Sequence, residues 1–280
     1  MRPDLIETVA GATIQHGPFS DRLYLMKLGG TDPEEVLPAL HEIAEVGGYG
    51  KIFAKVPAHA AEAFLAEEYT VEAVVPGLYR DEVDGLFLAH YPAQARREPE
   101  DRKRINDVLR TARAKADDPR ATDGIRVVEM RPEHAPAMAE LYKKVFPTYP
   151  FPIHDPKYIV QSMDEDVRFF GVLEDERPVA LASAEVDPAG QNAEMTDFAT
   201  SPEQRGRSLA AAILAQMERS CADSGIKTFY TICRAAAFGV NILFARAGYV
   251  HAGLLPNNTN ISGGLESMNV WHRKARALDD

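Results

Sequence analysis

Cysteine is scarce in this 280-residue sequence, and its two cysteines, Cys221 and Cys233, belong to no Cys-x-x-Cys or Cys/His ligand pattern. The eight histidines are scattered and include no HExxH motif. We therefore predict no metal site and expect both cysteines to fill apolar space in the core. Free thiols are typical of a reducing compartment, so the expected location is the cytoplasm.

Long apolar runs and an excess of basic residues are missing as well. No run of 18 apolar residues occurs, and no basic segment followed by an apolar one opens the chain, so we expect neither a membrane span nor a secretion signal. With 31 Lys and Arg against 42 Asp and Glu, the net charge is −11. This disfavours nucleic-acid binding, which needs clustered basic residues. A hydrophobic content of 45% fits a soluble protein of one large or two ordinary domains.

The most informative stretch is residues 194–214. It predicts a short strand, a Ser-Pro turn, a loop with Gly206 between Arg205 and Arg207, and an amphipathic helix that begins at about Leu209. A helix N-terminus leaves backbone N–H groups unpaired and is the positive end of the helix dipole, so such a loop welcomes anions. The stretch predicts a phosphate site, and the alternative is an ordinary solvated helix start.

Composition and periodicity divide the chain into three parts. Residues 1–95 and 125–280 alternate predicted strands and helices, and we interpret each range as a domain. Residues 96–124 are rich in Arg, Lys, Asp, Glu and Ala and predict a charged linker helix. Because its acids alternate with its bases, we expect this helix to be solvated rather than bound to nucleic acid.

Spacing of aromatic residues and proline indicates an internal repeat. Intervals of 5, 7 and 15 residues occur twice, in Phe64, Tyr69, Pro76 and Tyr91 and again in Phe244, Tyr249, Pro256 and Trp271. The first half therefore looks like a degenerate copy of the second. It has a Gly-Gly-Thr-Asp-Pro turn at residues 29–33 in place of the basic loop, so we expect this copy to be structural.

A segment rich in proline lies at residues 146–156, with four prolines and three aromatic residues. It can form neither a helix nor a regular strand. It is either a stiff surface loop or an apolar lip over a small-molecule pocket, and in the second case Tyr149 and Phe151 are candidate substrate contacts.

These features together resemble a known enzyme family. The order of strand, arginine-glycine loop, helix and strand, followed by a helix that ends in Phe-x-x-x-Gly-aromatic, resembles the GNAT superfamily of N-acetyltransferases over residues 125–273. Segments 196–202, 229–235, 256–261 and 266–271 are similar to the β-lysine N6-acetyltransferase family. The implied fold is α/β (or α+β), with a GNAT-type mixed central sheet flanked by helices and a degenerate GNAT-like half before it.

The resemblance also implies an activity. An enzyme of this family transfers acetyl from acetyl-CoA to the ε-amine of β-lysine, and the product, N6-acetyl-β-lysine, is a compatible solute that accumulates under salt stress. The expected pathway partner is a lysine 2,3-aminomutase, which makes β-lysine. No metal, nucleic-acid or membrane partner is expected, and the oligomeric state is left open.

Acetyl-CoA contacts are implied at the residues that match the superfamily pattern: Phe198, Ala199, Thr200, Arg205, Gly206, Arg207, Ser208, Leu209, Ala210, Asn241 and Phe244. The backbone from Phe198 to Thr200 would pair with the pantetheine arm. Ser208 stands where glycine is usual, which puts the loop geometry in question. Phe244 stands where a tyrosine often protonates the leaving thiolate, so we expect Phe244 to pack in the core or against acetyl-CoA.

Catalysis needs a base, because an amine with a pKa of about 10.4 is protonated at neutral pH and cannot attack a thioester. Glu194 and Asp197 are the candidates, and strand alternation predicts that they face opposite sides. We favour Glu194.

Substrate contacts are expected at Tyr149, Phe151, Arg234, Asn257, Asn258, Glu266 and Asn269. Glu266 suits the second ammonium group of β-lysine and Arg234 suits its carboxylate. Residues 257–260 have an alternative interpretation as a turn. Two other functions stay open: an acetyl-CoA-binding protein without catalysis, for which Ser208 and Phe244 argue, and a GNAT enzyme for another small amine.

Overall fold

The computed structural model describes residues 4–118 and 120–275. Residues 1–3, 119 and 276–280, which belong to the predicted N-terminal domain, linker and C-terminal domain, lie outside the described residues. Within the described ranges, thirteen strands form one mixed sheet. Helices pack against this sheet, so the predicted α/β class is confirmed. None of the helices in these ranges is long and apolar enough to cross a membrane.

The N-terminal half alternates strands and helices. Its elements are β1 (Leu5–Val9), β2 (Ala12–Gly17), β3 (Arg22–Lys27), α1 (Pro33–Gly47), β4 (Lys51–Pro57), α2 (Ala61–Ala66), β5 (Thr70–Tyr79) and β6 (Val83–His90). Helix α1 begins after Asp32, whose side chain accepts a hydrogen bond from the backbone N–H of Glu34. It ends at Gly48, which has a φ of 64° and caps the last turn.

The remainder of the chain begins with α3 (Arg102–Arg113), the predicted linker helix. The elements after it are β7 (Val128–Glu129), α4 (Ala135–Val145), α5 (Pro156–Asp164), β8 (Val167–Glu174), β9 (Arg177–Asp187), β10 (Asn192–Thr200), α6 (Leu209–Asp223), β11 (Thr228–Arg234), α7 (Phe238–Arg246), β12 (Val250–Ile261) and β13 (Gly264–Lys274). One face of α3 is not solvated, because Ile105, Val108 and Ala112 are buried where α3 packs on α7.

Strand order repeats in the two halves. The first half runs β1-β2-β3-β4-β6-β5 and the second runs β8-β9-β10-β11-β13-β12, with β7 added at the outer edge. In each half the third and fourth strands of this order are parallel, as β3 with β4 and β10 with β11. The other neighbours within each half are antiparallel. This order agrees with the predicted internal repeat, while the boundaries at residues 95 and 125 stay predictions.

The two halves join edge to edge between β5 and β12, where Ala73 pairs with Gly253. A Cβ atom on Gly253 would lie 2.6 Å from the Cα of Ala73, so the strands can approach only because this residue is glycine. A shared apolar cluster continues the junction, with Tyr24, Phe53 and Phe87 of the first half against Tyr230, Leu255 and Met268 of the second. The halves therefore share a core beside the sheet junction.

Candidate active site

The candidate site lies where strands β10 and β11 part. Their parallel register ends at the pair Glu194–Tyr230, although β10 continues to Thr200 and β11 to Arg234. Past Glu194, β10 keeps its antiparallel partner β9, and no register pair joins it to β11 in the described residues. The edge of β10 that faces β11 can therefore pair with an extended ligand, in the way that an added strand would.

Strand β10 contains a bulge that changes which way its carboxylates face. The register with β9 shifts between Thr196 and Ala199, and Asp197 has a φ of 57°. As a result, Glu194 and Asp197 both line one cavity. The prediction that the two carboxylates face opposite sides is wrong, because the bulge breaks the alternation on which it rested.

Two cavities meet at this bulge. The larger, of about 870 Å³, runs along α6 and α7, and the smaller, of about 470 Å³, lies between the two halves of the chain. Five residues line both: Val145, Phe198, Arg205, Gly239 and Val240. A molecule in one cavity can therefore reach a molecule in the other beside Phe198.

The larger cavity has an anion-binding end at the start of α6. Gly206 has a φ of 85°, and a Cβ atom there would meet no atom within 4 Å, so the loop backbone is open to a ligand. Ser208 has a φ of 61°, so serine adopts the left-handed conformation for which glycine is usual. Arg205 forms no ion pair with any described residue. These features fit the phosphates of an extended ligand such as acetyl-CoA.

Seven of the residues predicted to contact acetyl-CoA line the larger cavity: Phe198, Thr200, Arg205, Gly206, Ser208, Leu209 and Ala210. Arg207 does not, because its Nη1 donates to Glu174 Oε1 at 2.6 Å and the side chain turns away. The side chain of Ala199 is buried in the core, which leaves only its backbone for a ligand.

Asn241 and Phe244 are also missing from the cavity lining, since both are fully buried behind it. Asn241 Nδ2 donates to the backbone oxygens of Arg234 and Ala237, and Asn241 Oδ1 accepts from Trp271 Nε1 at 2.9 Å. Phe244 packs edge to face on Phe198. Asn241 thus fixes the turn between β11 and α7. Phe244 supports Phe198, which lines both cavities, and this agrees with the expected core packing of Phe244.

Both halves of the chain line the smaller cavity. The N-terminal half contributes Arg22, Tyr24, Met26, Lys27, Phe53 and Lys55. The half that we expected to be structural thus also forms part of the wall of this cavity. No single segment of the sequence carries this contribution, because it depends on how the halves pack.

Three carboxylates of the second half face this cavity. Glu194 lies directly opposite Glu185 across β10 and β9, and Asp197 follows at the bulge. Burial, with repulsion from Glu194 and Asp197, raises the pKa of Glu185 to about 8. Burial also raises the pKa of Glu194, although the Lys55 charge and hydrogen bonding to Tyr230 oppose the rise. A carboxylate with a raised pKa is a stronger base than an exposed one.

Asp197 is engaged by neighbours. The hydroxyl groups of Tyr149 and Ser183 donate to its two carboxylate oxygens. Burial raises the pKa of Asp197, and these hydrogen bonds oppose the rise. The side chain thereby holds the proline-rich segment to β10.

The proline-rich segment covers the smaller cavity with Phe146, Tyr149, Pro150 and Phe151. Gln15 Nε2 donates to the backbone oxygen of Pro150 at 3.3 Å, which ties the segment to the N-terminal half. Of the two sequence interpretations, this arrangement favours the apolar lip.

Four of the residues predicted to contact substrate line the smaller cavity: Tyr149, Phe151, Arg234 and Asn258. Arg234 and Glu266 bind each other through two hydrogen bonds of 2.8 and 2.6 Å, so the separate roles predicted for them are not supported. Glu266, Asn257 and Asn269 lie outside the lining.

Asn257 and Asn269 have structural contacts instead. Asn257 Nδ2 donates to the backbone oxygens of Arg96 and Glu98, which ties β12 to the linker. Asn269 Nδ2 donates to Asn241 Oδ1 at 2.8 Å inside the core. Residues 257–260 form part of β12 rather than the turn considered from their composition.

Comparison with known proteins follows the same outline. The Acetyltransferase (GNAT) family matches residues 135–249. The β-lysine N6-acetyltransferase of Methanococcus maripaludis is 33% identical, over 93% of this chain and 95% of its own. That of Methanosarcina mazei is 31% identical, over 86% and 97%. The N-acetyltransferase YodP of Bacillus subtilis is 31% identical, over 93% and 94%. The chain therefore belongs to the β-lysine N6-acetyltransferase family, within the GNAT acetyltransferases.

Proposed function

We propose that this acetyltransferase transfers the acetyl group of acetyl-CoA to the N6 amine of β-lysine and so forms N6-acetyl-β-lysine. The observation that carries the proposal is the smaller cavity, which meets the larger one at Phe198 and is lined by Glu185, Glu194 and Asp197. β-Lysine has two ammonium groups that need hydrogen-bond acceptors, and the carboxyl oxygens that face this cavity can supply them. The two β-lysine N6-acetyltransferases that resemble this chain over most of its length support the same substrate.

Glu194 is the proposed base. The reacting amine has an ordinary pKa of about 10.4 and must lose a proton before it attacks. Burial raises the pKa of Glu194, which lines the smaller cavity at the point where β10 and β11 part. Asp197 is the weaker candidate, because Tyr149 and Ser183 already donate to both of its oxygens. We assign Asp197 to positioning the lip.

Acetyl-CoA, when bound in the larger cavity, supplies the activated acetyl thioester. The N–H groups of Leu209 and Ala210 at the start of α6, with Arg205, hold its phosphates. Backbone N–H groups of Phe198 and Ala199 at the bulge stabilise negative charge on the reacting carbonyl oxygen. Phe244 has no proton to give and lies in the core, so it takes no part in acid catalysis.

Substrate recognition falls to the residues that line the smaller cavity. Tyr149 and Phe151 cover the apolar chain of the substrate. Asn258 is 1% exposed and its Oδ1 has no hydrogen-bond partner among the described residues, so it can accept from an ammonium group. Arg234 is held by Glu266 and shapes the wall.

The biological setting follows from the proposed product. We place the reaction in the cytoplasm, where the product would serve as a compatible solute in adaptation to osmotic stress. A lysine 2,3-aminomutase would supply β-lysine, because moving the amino group of lysine from C2 to C3 yields this substrate.

A thiol-release assay with acetyl-CoA tests the proposal, with β-lysine, α-lysine and spermidine as acceptors. We expect a much larger kcat/KM for β-lysine than for the other two amines. Preference for spermidine would assign the enzyme to another amine. Binding of acetyl-CoA without turnover of any acceptor would favour a binding protein.

A further inference from the structure

Arg22, the first residue of β3, is a buried cation in the wall of the smaller cavity. It is only 4% exposed. Its Nη1 donates to the backbone oxygen of Asn258 at 2.7 Å and to Thr259 Oγ1 at 2.9 Å, and its Nη2 donates to Gln15 Oε1 at 3.1 Å. The N-terminal half thus places a fixed guanidinium against β12.

Two donors of this guanidinium have no acceptor among the residues that the structure describes. A guanidinium has five N–H groups, and the three hydrogen bonds of Arg22 leave the Nε–H and one Nη2–H. The Nε atom is buried without a partner among the described residues. Elsewhere in this chain the same pair of nitrogens grips a carboxylate side-on, as Arg234 holds Glu266 and Arg168 holds Glu129.

Within residues 4–118 and 120–275, no carboxylate is in contact with Arg22 either. By contrast, the buried and half-buried arginines of the linker and the second half each contact a carboxylate. Arg96 contacts Asp21, for example, and Arg273 contacts Glu218. No ion pair joins Arg22 to any residue in the described part of the chain. Asp4 and Glu194 act on Arg22 through space, without contact. A buried guanidinium whose donors touch no anion is costly, so this position is suited to an anion that arrives with a ligand.

An unpartnered acceptor lies next to these donors. Asn258, whose backbone oxygen accepts from Arg22, lines the same cavity and has its buried Oδ1 free of any described partner. One end of the cavity therefore presents a two-pronged donor and a single acceptor. A carboxylate beside an ammonium group, as at the head of an amino acid, matches both.

We propose that Arg22 binds the carboxylate of the amine substrate side-on through Nε and Nη2, while Asn258 Oδ1 accepts a hydrogen bond from the neighbouring ammonium group. The inference deepens the proposed function and rests on it for the identity of the substrate. In this arrangement the N-terminal half recognises the carboxylate of the substrate, while Glu194 and the acetyl-CoA cavity act on its N6 amine.

This arrangement predicts discrimination against simple polyamines. An amine without a carboxylate would leave the buried donors of Arg22 unpaired, and a site built to hydrogen-bond one group rejects analogues that lack it. Pentane-1,4-diamine is β-lysine without its carboxylate and keeps both amines at the same separation. It is therefore the probe for Arg22.

The test compares kcat/KM for β-lysine and pentane-1,4-diamine in the wild type, Arg22→Gln and Arg22→Lys. We expect the wild type to prefer β-lysine by about 100-fold or more in kcat/KM. Arg22→Gln should lose most of that preference, because its kcat/KM should fall for β-lysine but not for pentane-1,4-diamine. Arg22→Lys keeps the positive charge but not the paired N–H donors of the guanidinium, so its preference for β-lysine should lie between those of the wild type and Arg22→Gln.

Arg96→Gln is the matched control. Arg96 is also buried and donates to the backbone of β12, at Asn257 O, but it does not line the cavity. If substitution only loosens the junction of the two halves, Arg96→Gln should lower kcat/KM for β-lysine and for pentane-1,4-diamine by the same factor. The proposal is wrong if Arg22→Gln also lowers kcat/KM for the two amines by the same factor, or if it keeps the preference for β-lysine.

A binding measurement separates this inference from the proposed reaction. 3-Aminobutanoate carries the β-amino acid head without the reacting amine, and butan-2-amine lacks the carboxylate as well. In ligand-observed NMR, the wild type should bind 3-aminobutanoate and not butan-2-amine, and Arg22→Gln and Arg22→Lys should bind it more weakly or not at all. This result does not depend on whether β-lysine is acetylated. The role of Arg22 would be overturned if the wild type and the folded Arg22→Lys variant bind 3-aminobutanoate equally well. It would also be overturned if the wild type does not bind 3-aminobutanoate.

Discussion

Lys55 Nζ donates a hydrogen bond to the hydroxyl of Tyr230 at 2.7 Å, and this contact links the two halves of the chain beside the candidate base. Tyr230 is the register partner of Glu194 at the point where β10 and β11 part. The positive charge of Lys55 opposes the rise in the pKa of Glu194 that burial causes. The N-terminal half therefore influences the ionisation of the proposed base.

Substitution of the base should stop the chemical step and leave acetyl-CoA binding intact. Glu194→Gln keeps the shape of the side chain but cannot take a proton, so we expect kcat to fall by about 10²–10⁴-fold. Steady-state kinetics and calorimetry with acetyl-CoA measure the two effects. Asp197→Asn is the paired variant, and we expect it to raise KM more than it lowers kcat, because Asp197 holds the lip.

Full activity of Glu194→Gln would refute the assignment. Loss of kcat in Asp197→Asn, with Glu194→Gln still active, would transfer the role of base to Asp197.

Removal of Lys55 should change the pH dependence of the reaction. The Lys55 charge lowers the pKa of Glu194, so Lys55→Met should raise that pKa and move the acid limb of kcat/KM to higher pH. Lys55→Arg keeps the charge and should leave the limb close to its wild-type position. A limb that stays in place in Lys55→Met would show that another group controls it.

Glu185 should make the folded state less stable as pH rises. Burial and its acidic neighbours raise the pKa of Glu185 to about 8 from an ordinary value of 4.5, so between these pH values the folded protein holds a proton that the unfolded chain releases. Stability from this group is therefore full below pH 4.5 and is lost as pH rises through 8.

Urea unfolding from pH 4.5 to pH 8.5 tests this sign. Relative to the wild type, Glu185→Gln should gain stability steadily across the range. Glu176→Gln, in the exposed turn between β8 and β9, is the surface control and should run parallel to the wild type. A constant difference between Glu185→Gln and the wild type would contradict the raised pKa.

Gly253→Ala should weaken the junction of the halves. The added Cβ would overlap the backbone of Glu72 and Ala73 on β5, and overpacking of this kind costs about 1–3 kcal/mol of unfolding free energy. Activity should fall as well, because the smaller cavity needs both halves. Gly264→Ala is the control, since its Cβ would meet no atom within 4 Å. Wild-type stability in Gly253→Ala would contradict the close approach.

Much of the larger cavity could be predicted from the sequence, because its features are local. The loop around Gly206 and the start of α6 at Leu209 follow from residues adjacent in the chain. The ion pair of Arg207 could not be predicted, because its partner, Glu174, lies 33 positions away on β8. The bulge at Asp197 was missed because alternation assumes a regular strand, whereas the register with β9 sets the local geometry.

The smaller cavity could be predicted only in part. Tyr149 and Phe151 were accessible through the composition of the proline-rich segment. Arg22 and Lys55 were not, because they reach the site through the packing of one half on the other, and isolated basic residues on strands carry no local signal. The internal repeat was the one available hint, since it predicts two similar units that can share a cleft.

The position of the acetyl group on the product tests the central claim most directly. β-Lysine incubated with acetyl-CoA and the enzyme should yield one product, in which two-dimensional NMR correlates the acetyl carbonyl with the protons on C6. A product acetylated on the amine at C3, or the absence of any acetylated β-lysine, would contradict the account.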